Sequence, residues 1–272
     1  MRSFLSELAY KGEVICSRIQ GIAYERPAWN GEYRLVRHVA SSLRLVIDIG
    51  ANVGDWTAEV LRATGQRALV IAIEPDSVNA EGLRARFGRQ RRVRVIEAAV
   101  TSREGEVTFV AGGKPGSGNG YVETSVNGSP GSSLVAARTL QGIVSELGDP
   151  EVDLVKCDVE GAELDVLAGC ADLFERSRIS LMQVEYNATW LRAGRSLEDL
   201  FDFAGKYGYK LLLATPLGFA KLPTYGVGLE DYRLRNIVLA RPDAVELLRP
   251  YGPAGRARVE HQRTLTVERR AK

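Results

Sequence analysis

A chain of 272 residues with 45% hydrophobic content is long enough to bury a full core within one domain of generous size. Its 36 basic residues against 34 acidic ones leave a formal charge of +2, a balance that singles out neither nucleic acid nor an anionic membrane as partner. Three widely spaced cysteines, Cys16, Cys157 and Cys170, argue against a disulfide framework and a structural zinc site. They suit a reducing cytoplasm. The charged N-terminus lacks an apolar leader core, and no run approaches the roughly 18 residues of a membrane span.

Residues 1–42 mix apolar and charged positions at helical spacing, as in Phe4, Leu5 and Leu8 and again in Leu35, Val36 and Val39, and predict a helical N-terminal cap. From Leu43 the pattern changes to the runs LRLVIDIG, ALVIAIEP, RVRVIEAAV, VDLVKCD and ISLMQVEY, separated by helix-like stretches at 57–63 and 162–175. Near-continuous Val/Ile/Leu runs alternating with helices predict parallel strands covered on both faces. Between the third and fourth runs, residues 106–110 read as an extra strand. A Gly/Ser/Asn-rich insertion follows at 112–133, too polar to bury much and expected to be mobile or a lid. After the fifth run come a helix at 197–207 and strands at 209–214 and 236–240, the last two expected to pair antiparallel at the sheet edge. The α/β domain therefore spans 43–241. Residues 242–272, rich in Arg with Pro and Gly, form a basic tail, solvated or in contact with another copy. Oligomeric state is not legible, and there are no internal repeats.

The first run ends in Asp48 and breaks into a turn, Gly50-Ala-Asn52-Val-Gly54, that opens a helix. Such a turn sets backbone N–H groups and a positive helix end beside a ligand at the carboxyl edge of the sheet. The dinucleotide fingerprint needs a central glycine for the pyrophosphate, and Asn52 stands there. Asp48 would repel a phosphate but attract a cationic amine, which S-adenosylmethionine carries together with a ribose diol. Glu74-Pro75 ends the second run, where the Glu74 carboxylate can accept from both ribose hydroxyls. Asp48, Gly50, Asn52, Gly54, Glu74, Pro75 and, at the end of the third run, Ala99 make the candidate cofactor set. Alternatively Asp48 only caps the following helix and Glu74 is a solvated strand end.

Three stretches carry a family resemblance: D-x-G-A-N-x-G at Asp48 to Gly54, E-P at Glu74-Pro75, and K-x-D-x-E-G-x-E at Lys156 to Glu163. They make the sequence similar to the FkbM-type S-adenosylmethionine-dependent methyltransferases over about residues 43–186. The resemblance implies a Rossmann-like seven-strand methyltransferase sheet, mostly parallel with an antiparallel edge, and O-methylation of a hydroxyl on a natural product, sugar or glycolipid.

The fourth run delivers Asp158 to the carboxyl end of its strand, beside the donor crevice. Glu160 follows in the turn, Glu185 ends the next run, and Lys156 shares a strand face with Asp158. Methyl transfer to an alcohol needs alignment and removal of the hydroxyl proton, by a general base or with a divalent cation. Asp158, Glu160 and Glu185 can serve either way, as base or as oxygen ligands of Mg²⁺, and the metal-independent version is preferred because no histidine completes a site. Lys156 can pair with Asp158 or Glu185 as a buried salt bridge. Glu163 reads as a helix N-terminal carboxylate. Of the two histidines, His38 is the candidate that could reach the crevice. Tyr186 and Trp190 are acceptor contacts or ordinary packing. The expected partner is a small-molecule hydroxyl acceptor, not nucleic acid. Rival readings are an NAD-dependent oxidoreductase on a similar fold and a non-catalytic S-adenosylmethionine-binding module.

Overall fold

The computed structural model describes residues 11–19, 26–112, 120–123 and 131–249. Helices α1 (11–19) and α2 (Glu32–Val39) lead into β1 (Leu45–Ile49), α3 (Asp55–Thr64), β2 (Leu69–Glu74), α4 (Ser77–Phe87) and β3 (Val93–Glu97). Next come β4 (Ala99–Val100), β5 (Gly105–Val110), β6 (Tyr121–Glu123) and β7 (Ser132–Arg138). The second half runs through α5 (Leu140–Glu146), β8 (Val152–Cys157), α6 (Glu163–Ala168), α7 (Ala171–Glu175), β9 (Ile179–Tyr186), α8 (Ala188–Arg192), α9 (Leu197–Lys206), β10 (Lys210–Thr215), β11 (Gly218–Lys221) and β12 (Arg235–Ala240).

The main sheet has eight strands in the order β11-β10-β12-β9-β8-β1-β2-β3, so the seven-strand expectation is corrected by one. From β9 to β3 the strands are parallel, and β12, β10 and β11 each pair antiparallel with their neighbours. The expected β10–β12 pair forms, but β11 lies outside it. That extra strand follows from a tight return at Thr215, whose hydroxyl accepts from the N–H groups of Leu217 and Gly218. The strand expected at 106–110 is β5, which belongs to a separate sheet of four strands, β4-β7-β5-β6. The third run therefore divides: β3 stays in the main sheet, and Ala99–Val100 moves to the small one.

Because successive side chains in a strand point to opposite faces, each central strand feeds two cores. Ile47, Ile49, Ile71, Val155 and Met182 pack under α5, α6, α7 and α9. Val46, Val70, Leu154, Leu181 and Val238 pack under α2, α3 and α4. Ends are marked by local chemistry. Asp76 accepts from the Val78 and Asn79 N–H groups to start α4, Thr139 caps α5, and Ser196 with Asp199 forms a capping box on α9.

Helix α2 lies in the segment expected to form an N-terminal cap. Its Leu35, Val36 and Val39 are buried against the second sheet face, beside α3 and β10, so the helix is part of a covering layer. Eight residues make a marginal helix alone. Full burial of three apolar side chains, at about 1.5–3 kcal/mol each, is what holds it. The expected helical positions Phe4, Leu5 and Leu8 lie outside the described residues. So do 113–119 and 124–130 of the insertion and 250–272 of the tail, but the start of the tail is packed: the 3-10 turn Ala244–Leu248 sits on α2 and buries Ala244 and Leu248.

Gly31, at the entrance to α2, has φ 90° and presses on the end of β10, where an added Cβ would come within 2.6 Å of the Ala214 carbonyl carbon and the Thr215 nitrogen. Both obstacles are main chain and cannot swing away. Gly31→Ala is expected to lower stability by about 1–3 kcal/mol, read as a lower urea midpoint. An unchanged midpoint would mean that α2 is not anchored at this glycine.

Candidate active site

A cavity of about 470 Å³ opens at the carboxyl ends of β3, β2, β1, β8 and β9, a size suited to a small ligand. Four strand spacings of about 4.8 Å, or about 19 Å in all, separate its two ends. Glu74, Pro75, Ala98 and Ala99 line one end, with Phe109 and Tyr121 from the small sheet. Lys156, Asp158, Glu160 and Glu185 line the other. The turn after β1 bridges them.

In that turn Gly50 has φ 77°, and an added Cβ would fall on the Asp158 carbonyl oxygen. Its smallness thus lets β1 and β8 end side by side. Gly54 serves packing as well, lying against the side chains of Leu83 and Phe87 and outside the cavity lining. Asn52 takes the left-handed conformation at φ 50° and its N–H donates to Glu74 Oε2 at 2.7 Å. The Asp76 N–H donates to Glu74 Oε1 at 3.0 Å. Both oxygens are thereby aimed by main chain, with lone pairs left for a diol. Burial raises the Glu74 carboxyl above its usual range against those bonds. Asp48 is fully buried beneath the turn, accepting from the Thr57 hydroxyl at 2.6 Å. It ties β1 to α3 and does not line the cavity.

The β8–β9 end is a charge cluster. Cα register sets Asp48 beside Lys156, and Lys156 Nζ donates to Asp158 Oδ2 at 2.8 Å. The side chain of Lys156 is 7% exposed and that of Asp158 26%, so of these two cavity-lining residues the acid is the more open. Glu32, from the first turn of α2, brings Oε1 to 3.9 Å from the same Nζ. Asn30 holds it there by accepting the Glu32 N–H at 3.0 Å. Burial alone would push the Lys156 ammonium down, but Asp158, Glu32 and Asp48 more than reverse this and hold it well above the usual lysine range. One cation cannot balance all these acids. Burial raises Glu32 to about 7 against the pull of Lys156. Glu160 also reaches about 7, through burial and then the repulsion of Asp158. Burial and Asp158 hold Glu185, bonded to the Asn187 amide at 2.8 Å, well above the carboxylate range.

The rest of the K-x-D-x-E-G-x-E motif shapes the loop. Glu160 is left-handed at φ 55°, and Glu163 accepts from the N–H groups of Val159 and Gly161, both at 3.0 Å. Glu163 is therefore a staple at the start of α6, as its helix-terminal reading expected. It is 1% exposed, and burial raises it to about 8 despite those bonds.

Three expected contacts lie elsewhere. His38 sits in the last turn of α2, about 9 Å along the axis from Glu32 at 1.5 Å per residue. Its Nε2 is 3.1 Å from the Arg249 carbonyl oxygen and its ring stands edge-on to Phe219. It does not line the cavity. Tyr186 and Trp190 are fully buried: the phenol donates to Glu230 and the indole N–H to the Glu185 carbonyl. They pack behind the acid cluster. Conversely, Glu32, Trp56 and Phe109 reach the cavity from positions that carry no local signal. Only the G-E pair opening an amphipathic stretch could have flagged Glu32.

The residues present suit S-adenosylmethionine. Glu74 offers an oriented acceptor for a diol, the acid cluster favours a cationic ligand, and Asn52 Oδ1 and Trp56 Nε1 are buried polar atoms on the cavity wall with no partner among the described residues.

Glu32, Glu163 and Glu185 all have folded-state values above the ordinary carboxyl value of 4.5. The folded chain then binds more protons than the unfolded one from about pH 4.5 upward. The associated stability is complete below that pH and is lost as pH rises through about 7 and 8. The urea midpoint is expected to be lower at about pH 8.5 than at about pH 6, with a smaller difference in Glu32→Gln. A midpoint that rises over this interval contradicts the assignment.

Comparison with known proteins agrees with the motifs. A model of the methyltransferase FkbM domain matches residues 48–211. The 2-O-methyltransferase NoeI of Sinorhizobium fredii is 29% identical over 168 residues, covering 56% of this chain and 66% of NoeI. The AMB antimetabolite synthetase AmbE of Pseudomonas aeruginosa is 26% identical over 203 residues, covering 61% of this chain and 10% of AmbE. The chain thus spans just under two thirds of one relative and a tenth of the other. Among solved structures, a precorrin-6y C5,15-methyltransferase from Geobacter metallireducens superposes with a TM-score of 0.44 at 12% identity, over 77% of this chain and 87% of that one. The model match covers more than half of the sequence and both of its motif clusters, and the chain belongs to the FkbM methyltransferase family.

Proposed function

We propose that the protein is an S-adenosylmethionine-dependent methyltransferase that methylates a hydroxyl group of a small molecule. The observation that carries this reading is one cavity with two chemically distinct ends: Glu74, aimed by the Asn52 and Asp76 N–H groups, and the Lys156–Asp158 pair one strand beyond β1. The family membership and the O-methyltransferase name of the relative NoeI support it.

When bound, the cofactor supplies an electrophilic methyl group on a sulfonium. Glu74 accepts from the ribose hydroxyls and so fixes the donor's place along the crevice. Lys156, kept cationic by its neighbours, is no proton acceptor; it occupies one oxygen of Asp158 and orients the carboxylate. The other oxygen faces the cavity and takes the proton of the acceptor hydroxyl. Glu160 and Glu185 stand beside it and hold the acceptor's remaining polar groups. Alignment of acceptor oxygen with donor methyl supplies much of the rate. The reading takes a carboxylate base, not a metal ion, to receive the proton.

Two expectations test the two ends separately. Glu74→Ala should weaken S-adenosylhomocysteine binding by about 1.5–3 kcal/mol, typical of lost hydrogen bonds to a charged group, as measured by calorimetric titration. Unchanged affinity in a folded variant removes Glu74 from the site. Asp158→Asn should lower methyl transfer about 10²-fold or more with cofactor affinity retained, and exhaustive chelation should leave the unmodified enzyme active. Loss of activity on chelation, restored by Mg²⁺, would replace the base by a metal-assisted step. Near-normal turnover by the Asn variant would return Asp158 to a structural role.

A further inference from the structure

The chain is nearly neutral overall, yet residues 84–94 concentrate six arginines: Arg84, Arg86, Arg89, Arg91, Arg92 and Arg94. All are exposed, and they run along the end of α4, the turn after it and the start of β3. Two are paired: Arg84 meets Glu97 at 2.8 Å and Arg86 meets Asp55 at 2.7 Å. Arg89, Arg91, Arg92 and Arg94 form no ion pair among the described residues. A run of like charge is commonly just a solvated face. What sets this one apart is the strand beside it.

Strand β3 is an edge of the main sheet, paired with β2 alone. The Val70 N–H donates to the Arg92 carbonyl at 2.8 Å and the Ala98 N–H to the Glu74 carbonyl at 3.2 Å, which fixes the alternation between them. In such a ladder every second residue turns its peptide groups away from the partner strand. The Val95 N–H and C=O therefore point out from the sheet edge, with no partner among the described residues. Main-chain groups left open in this way are a template for another strand. Arginine flanks the template on both faces. Arg94 lies on the face of Ile96, and Arg84 reaches Glu97 on the face that Val93 and Val95 share with α4.

We propose that this edge docks an acidic, extended segment of another protein, added as a strand alongside β3. The inference is independent of the methyltransferase reading. Main-chain hydrogen bonds supply the affinity, and carboxylates at alternate positions of the incoming strand meet Arg92 and Arg94 on one face. A second copy of this chain would bring the same arginines against one another, a repulsive pairing. Nor does the chain supply the segment itself: no stretch outside the described residues is an acidic run, and 250–272 carries an excess of base. Among the described residues no large hydrophobic side chain is exposed between Val78 and Tyr121, so the patch offers nothing to bury in a lipid headgroup layer or to stack on a base. The open strand edge favours a peptide over either. Because β3 runs on into Ala98 and Ala99 of the cavity lining, a docked partner lies beside the Glu74 end of the cavity.

The test uses the full chain with a short labelled peptide of alternating Glu and Thr, the same peptide N-methylated throughout, vesicles of phosphatidylcholine with phosphatidylserine, and a short DNA duplex. Binding is read by fluorescence anisotropy and by amide hydrogen exchange across β3. The acidic peptide is expected to bind, to slow exchange at Val95, and to lose about tenfold or more in affinity when Arg92→Glu and Arg94→Glu are combined. N-methylation, which keeps the charge and removes the strand's donors, should abolish binding. No binding of the acidic peptide overturns the proposal. So does equal binding of the N-methylated peptide, or binding that leaves Val95 exchange unchanged, since either reduces the patch to a diffuse attraction of charge. Tighter binding to the vesicles or the duplex than to the peptide, lost in the same variant, also overturns it and gives the arginines to that surface. If the double variant does not fold, the N-methylated peptide and Val95 exchange, both read on the unmodified chain, still decide.

Discussion

One ammonium among several buried carboxylates is the constraint on which the β8–β9 end of the cavity depends. Lys156 rises from β8 on the sheet face that also carries Asp48, Asp158, Glu185 and, from α2, Glu32. Ionised together, these acids would leave an uncompensated charge in a poorly solvated space, at a cost of several kcal/mol per ion. The fold meets this in three ways. Asp158 takes the direct bond to Lys156, Asp48 is given to the Thr57 hydroxyl, and Glu32 and Glu185 are driven toward their protonated forms by burial. The product is a crevice in which Asp158 is the acid hydrogen-bonded directly to the lysine.

The same sheet face shows how sharply the environment changes along a strand. Away from the carboxyl ends it is Val46, Leu154, Leu181 and Val238; toward them it becomes Asp48, Lys156, Gln183 and Asn236. Gln183 Nε2 donates to Asn236 Oδ1 at 2.9 Å, which carries the polar row across β9 and β12. Apolar packing under α2, α3 and α4 is thus the foundation, and the polar row is its rim. Helix α2 belongs to both. Leu35, Val36 and Val39 hold it on the foundation, and its first residue, Glu32, is thereby fixed at the rim.

The Glu74 end is organised differently, by main chain more than by ion pairs. Glu74 is gripped by two N–H groups, from Asn52 and Asp76, so the glycine turn after β1 and the helix start after β2 aim one carboxylate. Gly50 allows this turn to lie against β8, and the turn bridges the two ends of the crevice. The small sheet adds Phe109 and Tyr121 to the cavity lining, and Tyr121 belongs to the insertion.

Much of this was legible in the residues themselves. Continuous apolar runs predicted the five parallel strands and put Glu185 at the end of the fifth, and the motif stretches placed Asp48, Asn52, Glu74, Lys156, Asp158 and Glu160 at strand ends or in the turns after them, because a strand's hydrophobic run and its terminal turn are local features. Glu163 was read as a helix-terminal acid for the same reason. The tertiary structure alone decided which of these reach the cavity. Asp48 and Gly54 turned inward because a buried strand residue and a close helix contact depend on what packs above them. His38 was lost because six residues along a helix point its two ends to different places. Glu32, Trp56 and Phe109 were invisible for the converse reason: each is ordinary in its own segment and becomes part of the cavity only when α2, α3 and the small sheet close around the carboxyl ends of the strands. Local pattern determines what a residue can be; long-range packing determines what it faces.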